Sequence, residues 1–179
     1  MHVIFVSGIF ATHVGKLIKH TGKHYGINYA FLASKVRSFF WPALTGKGAA
    51  HMFDPQRATT YWKEDGKFKT QASEALQALP FLEYILQEEA LARNIPDLAR
   101  HVMCFMGLVR IIRTIQSRAR GPVDIAGFQR AVGAYLDAYS MLYKVNWDDK
   151  DMQPKFHYAV CFAAPPHPRA RGLQPACGS

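Results

Sequence analysis

Apolar residues return every three or four positions along most of the chain. Val3, Val6, Phe10, Val14 and Leu17 form such a series and predict an amphipathic helix over residues 2–20, with a strand as the alternative for its β-branched start. Gly22 and Gly26 punctuate the basic turn that follows. Asn28 can cap a second helix, 28–41, which carries Phe31, Leu32, Lys35, Val36, Phe39 and Phe40 and is stopped by Pro42. Residues 42–69 hold glycines, prolines and no sustained period, so they read as a long loop with room for one short helix. From Thr70 the period returns: Ala72, Leu76 and Leu79 share a face that Leu82, Ile85 and Leu86 continue past Pro80. That proline either kinks one helix, 70–93, or opens a second. After the break at Asn94–Pro96 comes the longest helical candidate, 97–118, with Leu98, Val102, Phe105, Leu108, Val109, Ile112 and Ile115 inside; Gly121 and Pro122 end it. Asp124 then caps a helix over 125–143 bearing Ile125, Phe128, Val132, Tyr135, Leu136, Tyr139 and Leu142.

The fold class expected from this pattern is all-α, an irregular helical bundle of five or more helices. Its core should include Leu76, Leu82, Phe105, Leu108, Ile112, Phe128, Leu136 and Tyr139. Residues 1–162 are read as one helical domain and 163–179, "AAPPHPRARGLQPACGS", as a disordered Pro/Arg-rich tail.

With 179 residues, 49% of them apolar, the chain suffices for one domain with a real core and is short for two. Its 22 Lys and Arg outnumber 13 Asp and Glu, an excess that favours an anionic partner such as nucleic acid or acidic lipid. Three cysteines, Cys104, Cys161 and Cys177, form neither a disulfide framework nor a zinc pattern, and point to a reducing compartment. "VIFVSGIFA" resembles the apolar part of a signal peptide, but no basic residue precedes it and His13 and Lys16 follow at once. A nuclear or cytoplasmic location is therefore expected over secretion. "HVMCFMGLVRIIRTI" is broken by Arg110 and Arg113, so no membrane span is expected.

His157 and Cys161 lie four apart and would share a helix face, as two zinc ligands can. Further ligands would have to come from His167 or Cys177 in the irregular tail, so a helix-start histidine and a small core cysteine are the plainer reading. No metal and no cofactor is expected. Lys16, Lys19 and Lys23, with His20 and His24, form a basic cluster that is either a phosphate contact or a solvated face. Arg110, Arg113, Arg118 and Arg120 form a second. Arginines so placed can fix a protein on a nucleic-acid backbone without reading bases, or run their stems along apolar neighbours. Carboxylates are scattered, and Asp148, Asp149 and Asp151 sit in a turn-like segment. There is no phosphate loop, G-x-S-x-G, H-E-x-x-H or dinucleotide fingerprint, so an enzyme is not supported. DNA or RNA is the expected partner, with no small-molecule substrate in view.

Three segments taken in order carry a resemblance. "MHVIFVSGIF" resembles the D-x-M-H…G segment of transposase-like proteins of mobile elements. "FKTQASEALQALPFLEYIL" is similar to their A-S-E-L-L…P…F-L helix, and "WDDKDMQPKFHYAV" to their P-K-x-H-x-x-L-H segment. In that family these stretches belong to a helical region inserted in an RNase-H-like core, whose acidic triad binds two divalent metals for strand cleavage and transfer. The resemblance implies one acid just ahead of the Met-His pair, where this sequence starts at Met1, and another beyond the P-K-x-H segment; neither falls on a residue here. Cys161 stands where a second histidine is implied. The expectation is a non-catalytic remnant or interaction module truncated at both ends, with "MQPKFHYAVCF" the start of a core helix cut short. Apolar side chains of Val3–Phe10 and Phe156–Phe162 would then lack cover and favour self-association. The alternative is a free-standing helical nucleic-acid-binding module with no transposase ancestry.

Overall fold

A computed structural model describes residues 8–42, 47–62, 68–117 and 124–144, together with Phe156 and Ala159. Among the described residues there are six α-helices and no strand beyond an isolated bridge between Trp62 and Phe68. They are α1 (Ala11–Tyr25), α2 (Tyr29–Val36), α3 (Ala58–Tyr61), α4 (Ala72–Arg93), α5 (Pro96–Ser117) and α6 (Ile125–Tyr143). The chain is the all-α bundle that its periodicity predicts.

α5 is the central element and packs against α1, α4 and α6. Its three-sided burial follows from sequence. Leu98, Val102, Phe105, Leu108, Val109, Ile111 and Ile112 are all buried and spread over more than half the helix circumference, as a helix with several neighbours needs. Of the expected core residues, Leu82, Phe105, Leu108, Ile112, Phe128, Leu136 and Tyr139 are buried, while Leu76 is half-buried against the core. Among the described residues no helix is long and apolar enough to cross a membrane.

The caps are the expected ones. Asn28 Oδ1 accepts from Phe31 N at 3.0 Å to open α2, and Asp124 Oδ1 accepts from Gly127 N at 2.9 Å to open α6. Pro80 lies inside a single helix, so α4 continues through it. Pro96 begins α5, where its missing N–H has no intrahelical partner to lose.

Four expectations change. First, α1 runs on through Gly22 to Tyr25, and only Gly26 ends it, at φ 71°. A Cβ on Gly22 would come within 3.0 Å of Asn28 Cβ, so this glycine lets the chain fold back closely rather than turning it. Thr21 holds that reversal: its carbonyl accepts from Ile27 N at 3.2 Å and its hydroxyl donates to Ile27 O at 2.9 Å. Gly26→Ala should cost about 1 kcal/mol, because alanine resists the left-handed region; urea unfolding followed by circular dichroism will check it.

Second, the second helix stops at Val36 rather than near 41. Leaving the helix brings Phe39 and Trp41 onto Phe81 of α4, with ring centroids at 5.3 and 5.8 Å, and leaves Phe40 92% exposed. Third, the presumed loop is largely ordered. Lys47–Phe53 and Pro55–Arg57 are 3-10 turns followed directly by α3, and Met52, Phe53 and Phe68 are fully buried. Aromatic anchors do this work, Trp62 stacking on Phe68 at 4.4 Å and Phe53 meeting Phe81 at 4.8 Å.

Fourth, the apolar ends are covered wherever they are described. Ile9 and Phe10 have no exposure, Phe156 and Ala159 are buried, and Phe156 stacks on Tyr139 at 4.9 Å. Ile125, placed on the inner face by its spacing, is 64% exposed. Val3, Val6, His157, Cys161 and the tail 163–179 lie outside the described residues.

Candidate functional site

α1 carries three lysines, three histidines and no carboxylate. Because 16, 19, 20, 23 and 24 recur at helical spacing, they occupy one side of it. The structure divides this group. Lys19, Lys23 and His24 are exposed, the last two in the final turn, where the helix dipole favours positive charge. Lys16 turns the other way: its Nζ lies 5.3 Å from the Tyr139 ring centroid and 5.7 Å from that of Tyr143, and burial lowers its pKa. His13 is fully buried beyond it.

The arginine cluster also separates. Arg113 is exposed but bound to Glu83 of α4. Arg110, exposed, lines an apolar groove between α5 and α6 with Met103, Gly107, Ala131 and Met141. Arg118 and Arg120 lie outside the described residues. Arg93 of α4 donates to the Tyr25 carbonyl at the end of α1, and Arg100, one turn into α5, donates to Asp97 at 2.9 Å, which in turn meets His20.

His20, Asp97 and His101 form a polar cluster where α1 crosses the start of α5. His20 Nε2 is 3.3 Å from Asp97 Oδ2, and His101 Nε2 is 3.8 Å from the same oxygen. The imidazoles of His20 and His101 stack at 3.9 Å, and the His24 ring lies 4.6 Å from that of His20. Tyr25 donates its hydroxyl to Asp97 Oδ2 at 2.6 Å, and His101 Nδ1 meets the Tyr143 hydroxyl at 3.2 Å. The Tyr25 hydrogen bond leads in holding the Asp97 carboxyl down at about 2, helped by His20, His101 and Arg100. Burial, then the charge of His20, pushes His101 down to about 4, so its imidazole is neutral near pH 7. Among the described residues these three are the one group of His, Cys, Asp or Glu whose ligand atoms converge within 4.8 Å.

Composition and motif reading assign His20 to a basic cluster and leave Asp97 and His101 without a role. A signal is nevertheless visible in the chain. His20 and His24 are four apart, as are Asp97 and His101, so each helix offers two polar groups on one face. What spacing does not disclose is that α1 and α5 bring the two pairs together across 77 residues.

Elsewhere the carboxylates serve caps and ion pairs. Asp54 accepts from Gln56 N, Glu74 accepts from Gln71 N and the Tyr61 hydroxyl, and Glu89 pairs with Arg93 at 2.7 Å. Burial pushes the Cys104 thiol up to about 12, so it stays protonated and unreactive as a nucleophile. Protein-family models, curated proteins and solved structures were all compared with the chain, and none matches.

Proposed function

We propose that this chain is a non-catalytic helical module that binds nucleic acid through its phosphate backbone, and that it derives from a transposase-like protein. One observation carries the binding reading. Residues 1–53 contain six Lys and Arg and not one Asp or Glu, so this stretch of the sequence holds most of the chain's charge excess. Within that stretch α1 presents Lys19, Lys23 and His24 to solvent, with Arg100 of α5 alongside. Side chains of this kind neutralise phosphates and release their counterions without selecting a sequence. The non-catalytic reading rests on Asp54, Glu74, Glu83 and Glu89, which are engaged in caps and ion pairs rather than with one another. The transposase-like ancestry rests on the three ordered motifs; without it, the same surface makes a free-standing nucleic-acid-binding module.

Purified protein at low salt should bind duplex DNA and single-stranded RNA at least tenfold more tightly than phosphatidylserine vesicles, because phosphates repeated along a strand suit a row of cations on a helix. Fluorescence anisotropy and vesicle co-sedimentation measure both. Tighter binding to vesicles would transfer the surface to acidic lipid, and no binding to either at low salt would remove the proposal. Incubation of the same protein with supercoiled DNA and Mg²⁺ or Mn²⁺ should leave the DNA intact. Nicking that a heat-inactivated control lacks would overturn the non-catalytic reading.

A further inference from the structure

We infer that His20, Asp97 and His101 form a binding site for one zinc-class divalent ion that ties α1 to α5. This inference is independent of nucleic-acid binding. A tetrahedral ion with ligands at about 2.0–2.2 Å needs them about 3.3–3.6 Å apart. His20 Nε2 and His101 Nε2 stand 3.3 and 3.8 Å from Asp97 Oδ2, and all three ligand atoms lie within 4.8 Å of one another. The first separation matches, the second is 0.2 Å too long, and a rotation of the partly exposed His20 ring out of its stack on His101 brings the third into range.

The surroundings suit ligation. His101 is buried, and its Nδ1–H can donate to the Tyr143 hydroxyl at 3.2 Å; in that tautomer its Nε2 lone pair is free for an ion beside Asp97 and His20. Arg100 holds the other carboxylate oxygen, Oδ1, at 2.9 Å, and Tyr25 donates to Oδ2 itself at 2.6 Å, which leaves that oxygen a second lone pair for the ion. In that tautomer an imidazole lone pair and a carboxylate oxygen confront one another, an arrangement that a cation between them stabilises. Two imidazoles and one carboxylate select zinc, or the neighbouring late transition ions, over calcium and magnesium, which take oxygen donors. His20 and Asp97 keep side-chain exposures of 30% and 39%, so an ion reaches the site from solvent. The fourth position falls to water or to His24, one helical turn beyond His20.

The test is titration of the full chain, stripped with EDTA and desalted, with Co²⁺ and then Zn²⁺. One equivalent of Co²⁺ should develop the visible bands of a four-coordinate N/O site, without the near-ultraviolet band of a thiolate ligand, and Zn²⁺ should displace it and raise the thermal midpoint. His20→Gln and Asp97→Asn change partly exposed side chains and should keep the helical circular dichroism of the parent. Each should weaken Co²⁺ binding at least tenfold, whereas Cys161→Ser and His167→Gln should leave it unchanged. Absence of binding, a thiolate band, or parental affinity in either ligand variant would overturn the site.

Discussion

Replacing Phe105 by alanine should destabilise the protein by about 3–5 kcal/mol, the usual range for a buried phenylalanine emptied to alanine. Phe105 has no solvent exposure and sits at the middle of α5, the helix that touches three others. Its ring meets Phe10 at 6.1 Å and stands edge-on to His13 at 5.7 Å, so it is the apolar contact that holds the first half of α1 on α5, beside the polar contacts of His20 and Tyr25. A cavity there removes contacts from both helices, and close packing gives little room for collapse. Since domains of this size have about 5–15 kcal/mol in all, the variant should lose a large part of its stability. Leu91→Ala, at a position 78% exposed, should change it by less than about 0.5 kcal/mol. Urea unfolding of the two variants beside the parent measures both; a loss under 1 kcal/mol at Phe105 would mean that the α1–α5 core is not packed as described.

Acid should begin to destabilise the protein already above the pH at which carboxylates titrate. His13 lies wholly buried among Phe105, Tyr135, Tyr139 and Tyr143, its Nδ1 3.1 Å from the Tyr135 hydroxyl and its Nε2 without a hydrogen-bond partner among the described residues. Burial, with the charges of His101 and Lys16 behind it, pushes its pKa down from 6.5 to about 3. The folded state therefore holds His13 neutral while the unfolded chain takes up a proton below pH 6.5. Stability is untouched above that pH and falls as pH drops below it, by about 1.4 kcal/mol per unit, until the folded-state value near 3 is reached. By pH 4.5 this one group should remove roughly 2–3 kcal/mol. Asp97 acts in a different window: its carboxyl is held low, so its contribution is present above its ordinary value of 3.8 and is lost only as pH falls towards 2. The measurement is the urea midpoint between pH 7.5 and 4.5 in chelator-containing buffer, for the parent and for His13→Gln. The variant should start lower and show a shallower pH dependence. Equal slopes would show that His13 is accessible to protons in the folded state.

The helices were legible because their apolar residues keep a period that only a helix turns to one side. Phe105, Leu108 and Ile112 illustrate it, as do Phe128, Leu136 and Tyr139, each group spaced by three, four or multiples and each buried. Capping chemistry was equally local, and Asn28 and Asp124 act where their position before an apolar run predicts. What local pattern misjudges is anything decided by a distant partner. Phe39 and Trp41 leave their helix because Phe81, some forty residues on, offers cover. Gly22 stays helical because Asn28 must pass close to it, although a glycine alone reads as a break. Residues 47–62 have no period yet are ordered by Phe53, Trp62 and Phe68, anchors whose value depends on the pocket that receives them.

The site follows the same division. Exposed Lys19 and Lys23 are readable as a basic face because no acidic side chain among the described residues pairs with them. Lys16 looks identical in sequence, but two tyrosines of α6 draw it inward, and Arg113 is drawn to Glu83 of α4. The meeting of His20 with Asp97 and His101 depends on how α1 crosses α5, which no motif encodes.

Nucleic-acid binding by the α1 face is tested most directly by the salt dependence of affinity. The log of the association constant for a short DNA duplex should fall linearly with log salt, with a slope of about −0.9 for each phosphate neutralised. In the double variant Lys19→Gln, Lys23→Gln, both exposed and in no ion pair that the core requires, the slope should become shallower by about 1.8 while the helical content is unchanged. A slope identical to the parent's, or a parent whose affinity ignores salt, would contradict binding through this face.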